Sequence, residues 1–169
     1  MEFIVTDKEL VEWLEKNLSR QLQWISAADS KSASIYAFGM AMLGVLATLV
    51  SSRGLNSVIE WIGAIGAGML LLLSLLFITI ATLPRRKGPK HSLIFFRGVA
   101  ERTYDEFQSE VRKLTEAVLV EDYAKQCHRN AEIATAKYKW VCLSMIMLYW
   151  AILPWLPLVL VLLMRKSVS

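Results

Sequence analysis

Charge is what much of this 169-residue chain lacks: none occurs between Lys31 and Arg53, between Glu60 and Arg85, or between Lys139 and Arg165. Helix breakers are scarce too, with neither Gly nor Pro before Gly39 or between Gly98 and Pro154, which leaves long helices uninterrupted. The two cysteines, Cys127 and Cys142, lie fifteen residues apart on what reads as one helix, too far to bridge within it. The two histidines, His91 and His128, have no partners at metal-ligand spacing, so no metal site is expected. Phosphate-binding glycine loops, a nucleophile elbow and H-E-x-x-H are all missing, which argues against an enzyme. The opening run MEFIVTDKELVEWLEK is too charged for a cleavable signal core, so the first hydrophobic span is expected to direct insertion. A net charge of +4 without a basic-aromatic array suits a membrane surface, not a nucleic-acid groove.

The charge-free stretches are Ser32–Ser52 (21 residues), Trp61–Pro84 (24) and Trp140–Met164 (25). A hydrocarbon core of about 30 Å is crossed by about 20 helical residues. A soluble bundle would have too little polar surface to cover three such segments. The fold class is therefore an all-α integral membrane protein, with three transmembrane helices and long cytoplasmic helical extensions. The expected organisation is a cytoplasmic amphipathic helix (1–31), a transmembrane hairpin (32–84), a cytoplasmic helical segment (85–139), a third transmembrane helix (140–164) and a tail (165–169).

Lys and Arg are retained on the cytoplasmic side. They crowd 85–139, including Arg85, Arg86, Lys87 and Lys90, and recur at Lys8, Lys16, Arg20 and Lys31, whereas the link between the first two spans holds only Arg53. The N-terminus and 85–139 are thus placed inside, with the first link and the tail outside. Arg165 and Lys166 run against that assignment, and Pro154 and Pro157 leave open a kinked, re-entrant third stretch.

Helix starts are marked by Thr6 with Glu9, Ser57 with Glu60 and Thr103 with Glu106, each at the reciprocal capping spacing, and Thr115 reads as a break and restart. Val5 and Leu10 sit where a hydrophobic staple closes. Leu10, Trp13, Leu14, Leu18, Leu22 and Ile25 give the first helix an apolar stripe that continues into span one. From Asp7 to Lys31 that stalk would extend roughly 35–40 Å.

Within span one, Ser34, Ala37, Ala41 and Gly44, flanked by Ser30 and Thr48, form a seam without bulky side chains that permits close helix packing in lipid. It either packs spans one and two together or joins protomers; Gly63, Ala67 and Ser74 run similarly along span two. Aligning the first and last spans at Lys31 and Lys139 brings Asp29 and Lys137 to one depth, about 3 Å outside the spans. An Asp29–Lys137 ion pair is expected, as structural coupling; in the alternative, Lys137 snorkels to lipid phosphate and Asp29 faces water.

The run Ala27-Ala-Asp-Ser-Lys-Ser-Ala-Ser34, then Leu93-Ile-Phe-Phe96, then Gln126-Cys-His-Arg-Asn130 and Ile133-Ala-Thr-Ala-Lys137-Tyr138 together resemble the Pycsar transmembrane effectors. That resemblance implies a bacterial anti-phage protein of the inner membrane that senses cyclic UMP or cyclic CMP from a partner pyrimidine cyclase and impairs the membrane, an abortive infection. Self-association as a homo-oligomer within the lipid bilayer is expected alongside. The ligand, with one phosphodiester charge and a planar base, needs a cation, hydrogen-bond partners and a stacking plane. Arg97, Arg102, Arg129, Asn130 and Phe96 offer these, although the arginines also suit solvated faces and Phe95 and Phe96 suit packing. No cofactor beyond that ligand is expected. A ligand-free membrane scaffold is the alternative, and spans without intramembrane acids or bases support a transporter poorly.

The topology is tested by fusing a reporter active only in the cytoplasm. It should be silent after Ser169 and active within 103–115; activity after Ser169 would favour the re-entrant third stretch.

Overall fold

The computed structural model describes residues 5–84, 88–89 and 91–165. Arg85, Arg86, Lys87 and Lys90, assigned above to the inner boundary of span two, lie outside the described residues, as does the tail beyond Arg165. The order is α1 (Asp7–Arg53), α2 (Val58–Thr82), α3 (Phe96–Ala100), α4 (Tyr104–Arg112) and α5 (Glu116–Met164), with no strand among the described residues. Three of these, α1, α2 and α5, are long and apolar enough to cross a membrane.

The helix starts lie where side chains can satisfy the orphan N–H groups of a first turn. Thr6 N–H donates to Glu9 Oε2 (2.9 Å) and Glu9 N–H returns a bond to Thr6 Oγ1 (3.4 Å), so α1 opens at Asp7. Val5, half exposed, gives the staple little burial. Thr103 and Glu106 make the same reciprocal pair before α4. At α2, Ser57 Oγ accepts from Glu60 N–H (3.2 Å), but Glu60 reaches back chiefly to Asn56 N–H (2.8 Å), one residue before the cap. Thr115 Oγ1 accepts from Val118 N–H (3.4 Å) as the chain restarts into α5. Gly54 ends α1 at φ +67° with its N–H on Val50 O (3.0 Å), a left-handed cap that suits glycine.

α1 is one continuous helix of 47 residues, and α5 continues for 49 through Pro154 and Pro157 to Met164. The third hydrophobic stretch is therefore helical throughout and shows no re-entrant break. The short helix α3 had no counterpart in the sequence reading.

The chain divides into two compact units, 1–27 with 84–136 and 28–83 with 137–169. In the second, Ile35, Ile78, Ala81 and Val141 form one buried cluster, and Leu46, Ala67, Leu158 and Leu162 another. Ser74 Oγ donates to Ser144 O (2.9 Å) and Ser144 Oγ to Ser74 O (2.8 Å), both side chains fully buried, so each hydroxyl finds an acceptor where lipid supplies none. Trp155 Nε1–H likewise donates to Met42 O (3.0 Å). At the far end Arg165 pairs with Glu60 and donates to Gly54 O (3.1 Å), which gives its charge a structural partner. Outward-facing Phe38, Ile59, Ile62, Met69, Leu72 and Leu153 would be costly in water and are ordinary against lipid tails.

The reading in which the seam packs span one against span two within a chain is corrected here. Ser34, Ala37, Ala41 and Gly44 all face outward, and a Cβ on Gly44 would meet nothing within 4 Å. The inward face of α1 carries Ile35 and Leu46, whose larger side chains bury more area, and Gly39, where an added Cβ would stand 3.1 Å from Leu75. The seam hydroxyls need no neighbouring helix, because Ser34 and Thr48 bond back to Ser30 O and Gly44 O. The small residues of α2 do pack inward: Ala67 and Ser74 are fully buried and Gly63 faces Leu158 and Pro154.

The two glycines of span one should therefore respond in opposite ways. Gly39→Leu is expected to cost about 1–3 kcal/mol through overpacking, and Gly44→Leu to leave thermal unfolding of the protomer in detergent unchanged; equal destabilisation would contradict the assignment of faces.

Candidate functional site

The unit formed by 1–27 and 84–136 carries all four residues proposed for ligand binding. Its centre is the segment from His91 to Arg102, held down by polar groups. Ser92 is buried; its Oγ accepts from Ile94 N–H (3.1 Å), Phe95 N–H (2.9 Å) and the buried Gln126 Nε2 (2.9 Å). Asp122 accepts from Leu93 N–H (2.8 Å). Gly98 is required here, since a Cβ would fall 2.4 Å from Ser92 O, a backbone atom with no freedom to yield.

Arg102 closes the segment. Its guanidinium donates to His91 O (3.0 Å), Ser92 O (3.1 Å) and Gly98 O (2.5 Å), and Nε meets Glu110 (2.9 Å). A guanidinium has five N–H groups, so this one is largely committed to holding the loop. The 500 Å³ hollow beside it is lined by His91, Gly98, Glu101, Arg102, Glu106 and Glu110. Three carboxylates against one guanidinium make a poor cradle for a phosphodiester.

Arg97 is exposed on α3 and meets Glu101 at 2.7 Å. Arg129 is partly buried on α5, next to Asn130, and meets Glu132 at 2.7 Å. Phe96 presents its ring to solvent at 67% exposure, stacked obliquely on Phe95 with centroids 4.6 Å apart. Arg97 and Arg102 thus belong to one loop-and-helix segment, whereas Arg129 and Asn130 project from α5.

Sequence reasoning missed Ser92, Gln126 and Asp122, whose bonds span about thirty residues of chain; no local spacing rule could have found them. It also missed Gln21, whose Nε2 donates to Asn17 (2.7 Å) while Oε1 is buried without a partner among the described residues. Cys127 is buried against Leu14 O (3.4 Å), and burial pushes its thiol up, which makes it an inert packing residue.

Asp29 and Lys137 lie in the span-bearing unit and form the ion pair expected from their common depth, within one chain. Lys137 is 11% exposed at its side chain and Asp29 47%, so the lysine is the partner that desolvation penalises. Snorkelling of Lys137 to lipid phosphate is not what is observed. Lys31, two residues on from Asp29, stands over the ring of Tyr138 at 5.9 Å.

These features define a three-span, all-helical membrane protein with a compact polar helical unit. The Pycsar effector protein domain matches residues 13–165, and the chain belongs to that family. Among curated proteins it is similar to the Pycsar effector protein PtPycTM of Propioniciclava tarda, 26% identical over 132 residues. The match covers 73% of this chain but 65% of that relative's length. No solved structure matches the chain.

Charge inversion tests the Asp29–Lys137 pair. Asp29→Lys and Lys137→Asp should each destabilise the protein by roughly 1–3 kcal/mol, between exposed and fully buried pairs, and the double swap should recover part of the loss. Additive damage in thermal unfolding would show that the interaction carries no stability.

Proposed function

We propose that the protein is an anti-phage defence effector that senses cyclic UMP or cyclic CMP made by a partner pyrimidine cyclase and then impairs the bacterial inner membrane, arresting the infected cell. Membership of the Pycsar effector family across residues 13–165 carries this reading. The N-terminus and the polar unit face the cytoplasm, where the cyclase product is found, as the distribution of Lys and Arg suggests.

Arg97, Arg129 and Asn130 are the ligand's polar partners, with Phe96 as the base-stacking surface. Support comes from the exposure of Phe96 and from the Arg97–Glu101 and Arg129–Glu132 pairs, both short-range and solvent-accessible. Such pairs contribute about 0–1 kcal/mol, so a phosphodiester can replace the carboxylate at little cost. Arg102 acts by holding the 91–98 backbone in the shape that presents Phe96 and Arg97. No chemical step is involved; ligand binding shifts the equilibrium of the assembly.

The outward seam of span one supports homo-oligomerisation, because Ser34, Ala37, Ala41 and Gly44 remain available to a second copy. The Asp29–Lys137 pair ties α1 to α5 beside the membrane boundary and transmits the signal between sensing and spanning segments.

Equilibrium binding to the intact protein with a panel of cyclic mononucleotides tests the proposal. Cyclic UMP or cyclic CMP should bind, and losing the principal phosphate cation, at Arg97 or Arg129, should weaken affinity roughly ten- to a hundredfold. Gly44→Leu should leave binding intact while lowering both assembly and toxicity. No binding of either pyrimidine nucleotide would favour a ligand-free membrane scaffold, and unchanged assembly in Gly44→Leu would remove the seam from the mechanism.

A further inference from the structure

In the span-bearing unit, α1 and α5 leave an open groove of 480 Å³ along their outer surface. Lys31 stands at one end, Ser34 lies one turn deeper, and Phe38, Met42, Leu148 and Tyr149 line the remainder with other apolar side chains. We propose that this groove is a binding site for one anionic phospholipid of the leaflet on the Lys31 side, with the phosphate on the Lys31 ammonium and an acyl chain along the groove.

Length argues for that occupant. Lys31 and Met42 are eleven residues apart on a continuous helix, a rise of about 16 Å, which matches half of a hydrocarbon core of about 30 Å. The groove thus runs the depth of one leaflet. Its polarity follows the same order as a phospholipid: a cation at the headgroup level, the Ser34 hydroxyl about 4.5 Å deeper near the ester linkages, then an apolar lining.

Charge argues for an anion. Asp29 is engaged by Lys137, and Lys31 meets the face of Tyr138, not a carboxylate, among the described contacts. Lys139, exposed at the same boundary, adds a second cation. A headgroup phosphate completes the coordination of Lys31, and a lysine at a membrane surface favours anionic lipid. A second copy of the chain fits less well. Two parallel copies related by a two-fold axis along the membrane normal would bring Lys31 against Lys31 at one depth, like charge on like.

Ser34 belongs to both the groove and the seam, whereas Ala37, Ala41 and Gly44 do not line the groove, and neither do the residues proposed for nucleotide binding, so the two proposals are tested separately.

Native mass spectrometry of the full chain, delipidated and titrated with palmitoyl-oleoyl phosphatidylglycerol or phosphatidylcholine, tests it. Wild type should retain one phosphatidylglycerol per chain with about fivefold preference over phosphatidylcholine. Lys31→Arg should keep that preference, Lys31→Gln should abolish it, and Ser34→Trp, which fills the groove, should lower retention of both lipids. Met69→Trp, on an exposed face of α2, controls for added bulk and should change nothing. Equal retention of the two lipids by wild type, an unchanged preference in Lys31→Gln, or undiminished retention in Ser34→Trp would each overturn the proposal. So would a lipid-free dimer that Ile152→Trp, a groove substitution on α5 outside the seam, converts to monomer, since a second copy would then fill the groove.

Discussion

Hydrocarbon offers no hydrogen-bond partner, and most of this structure follows from that fact. A backbone that crosses it must satisfy its own N–H and C=O groups, which a helix does and an open strand does not. The three charge-free stretches consequently lie in α1, α2 and α5. Side chains obey the same rule: Ser32 and Thr48 bond to carbonyls one turn back, Ser74 and Ser144 bond to each other's helices, and Trp155 reaches Met42 O. Apolar side chains are under no such pressure to be inside. In the most apolar window of α1 only 17% of residues are buried, and in that of α2 28%.

Where the hydrocarbon ends charges return, and at each boundary one partly buried pair joins distant parts of the chain. Asp29 with Lys137 marks one boundary and Glu60 with Arg165 the other, both joining residues more than a hundred positions apart. Each pair fixes the register of helices whose apolar surfaces could slide past one another with little penalty. Association in lipid lacks the hydrophobic driving force available in water, so specific polar contacts and close approaches such as Gly39 to Leu75 carry more of the specificity.

The polar unit is built differently. Its interior includes Gln21, Ser92 and Gln126 as well as Leu14, Cys127 and Ala134. The segment from His91 to Gly98 keeps its shape through bonds to Arg102, Asp122 and Gln126, with little apolar burial. Gln21 Oε1, buried without a hydrogen-bond partner among the described residues, is where polar satisfaction in this unit falls short.

Sequence alone determined the class, the charge-free stretches, the continuity of α1 and of α5 as far as Pro154, and the starts of α1, α2, α4 and α5; that α5 runs on through Pro154 and Pro157 was decided by the structure. Each rests on an interaction within a few residues or on a property of one uninterrupted run: the Thr6–Glu9 and Thr103–Glu106 boxes join residues three apart, and absence of charge needs no partner. The Asp29–Lys137 pair was legible because two straight helices entering the same boundary share a depth scale. Only tertiary structure decided which face of each span turns inward. Span one offers two adjacent stripes, one small and one bulky, and the choice depends on what Leu75, Ile78 and Val141 present to it. It also decided that Arg102 is a clamp while Arg97 stays exposed, since two arginines five residues apart look alike until the carbonyls of His91, Ser92 and Gly98 are brought around one of them.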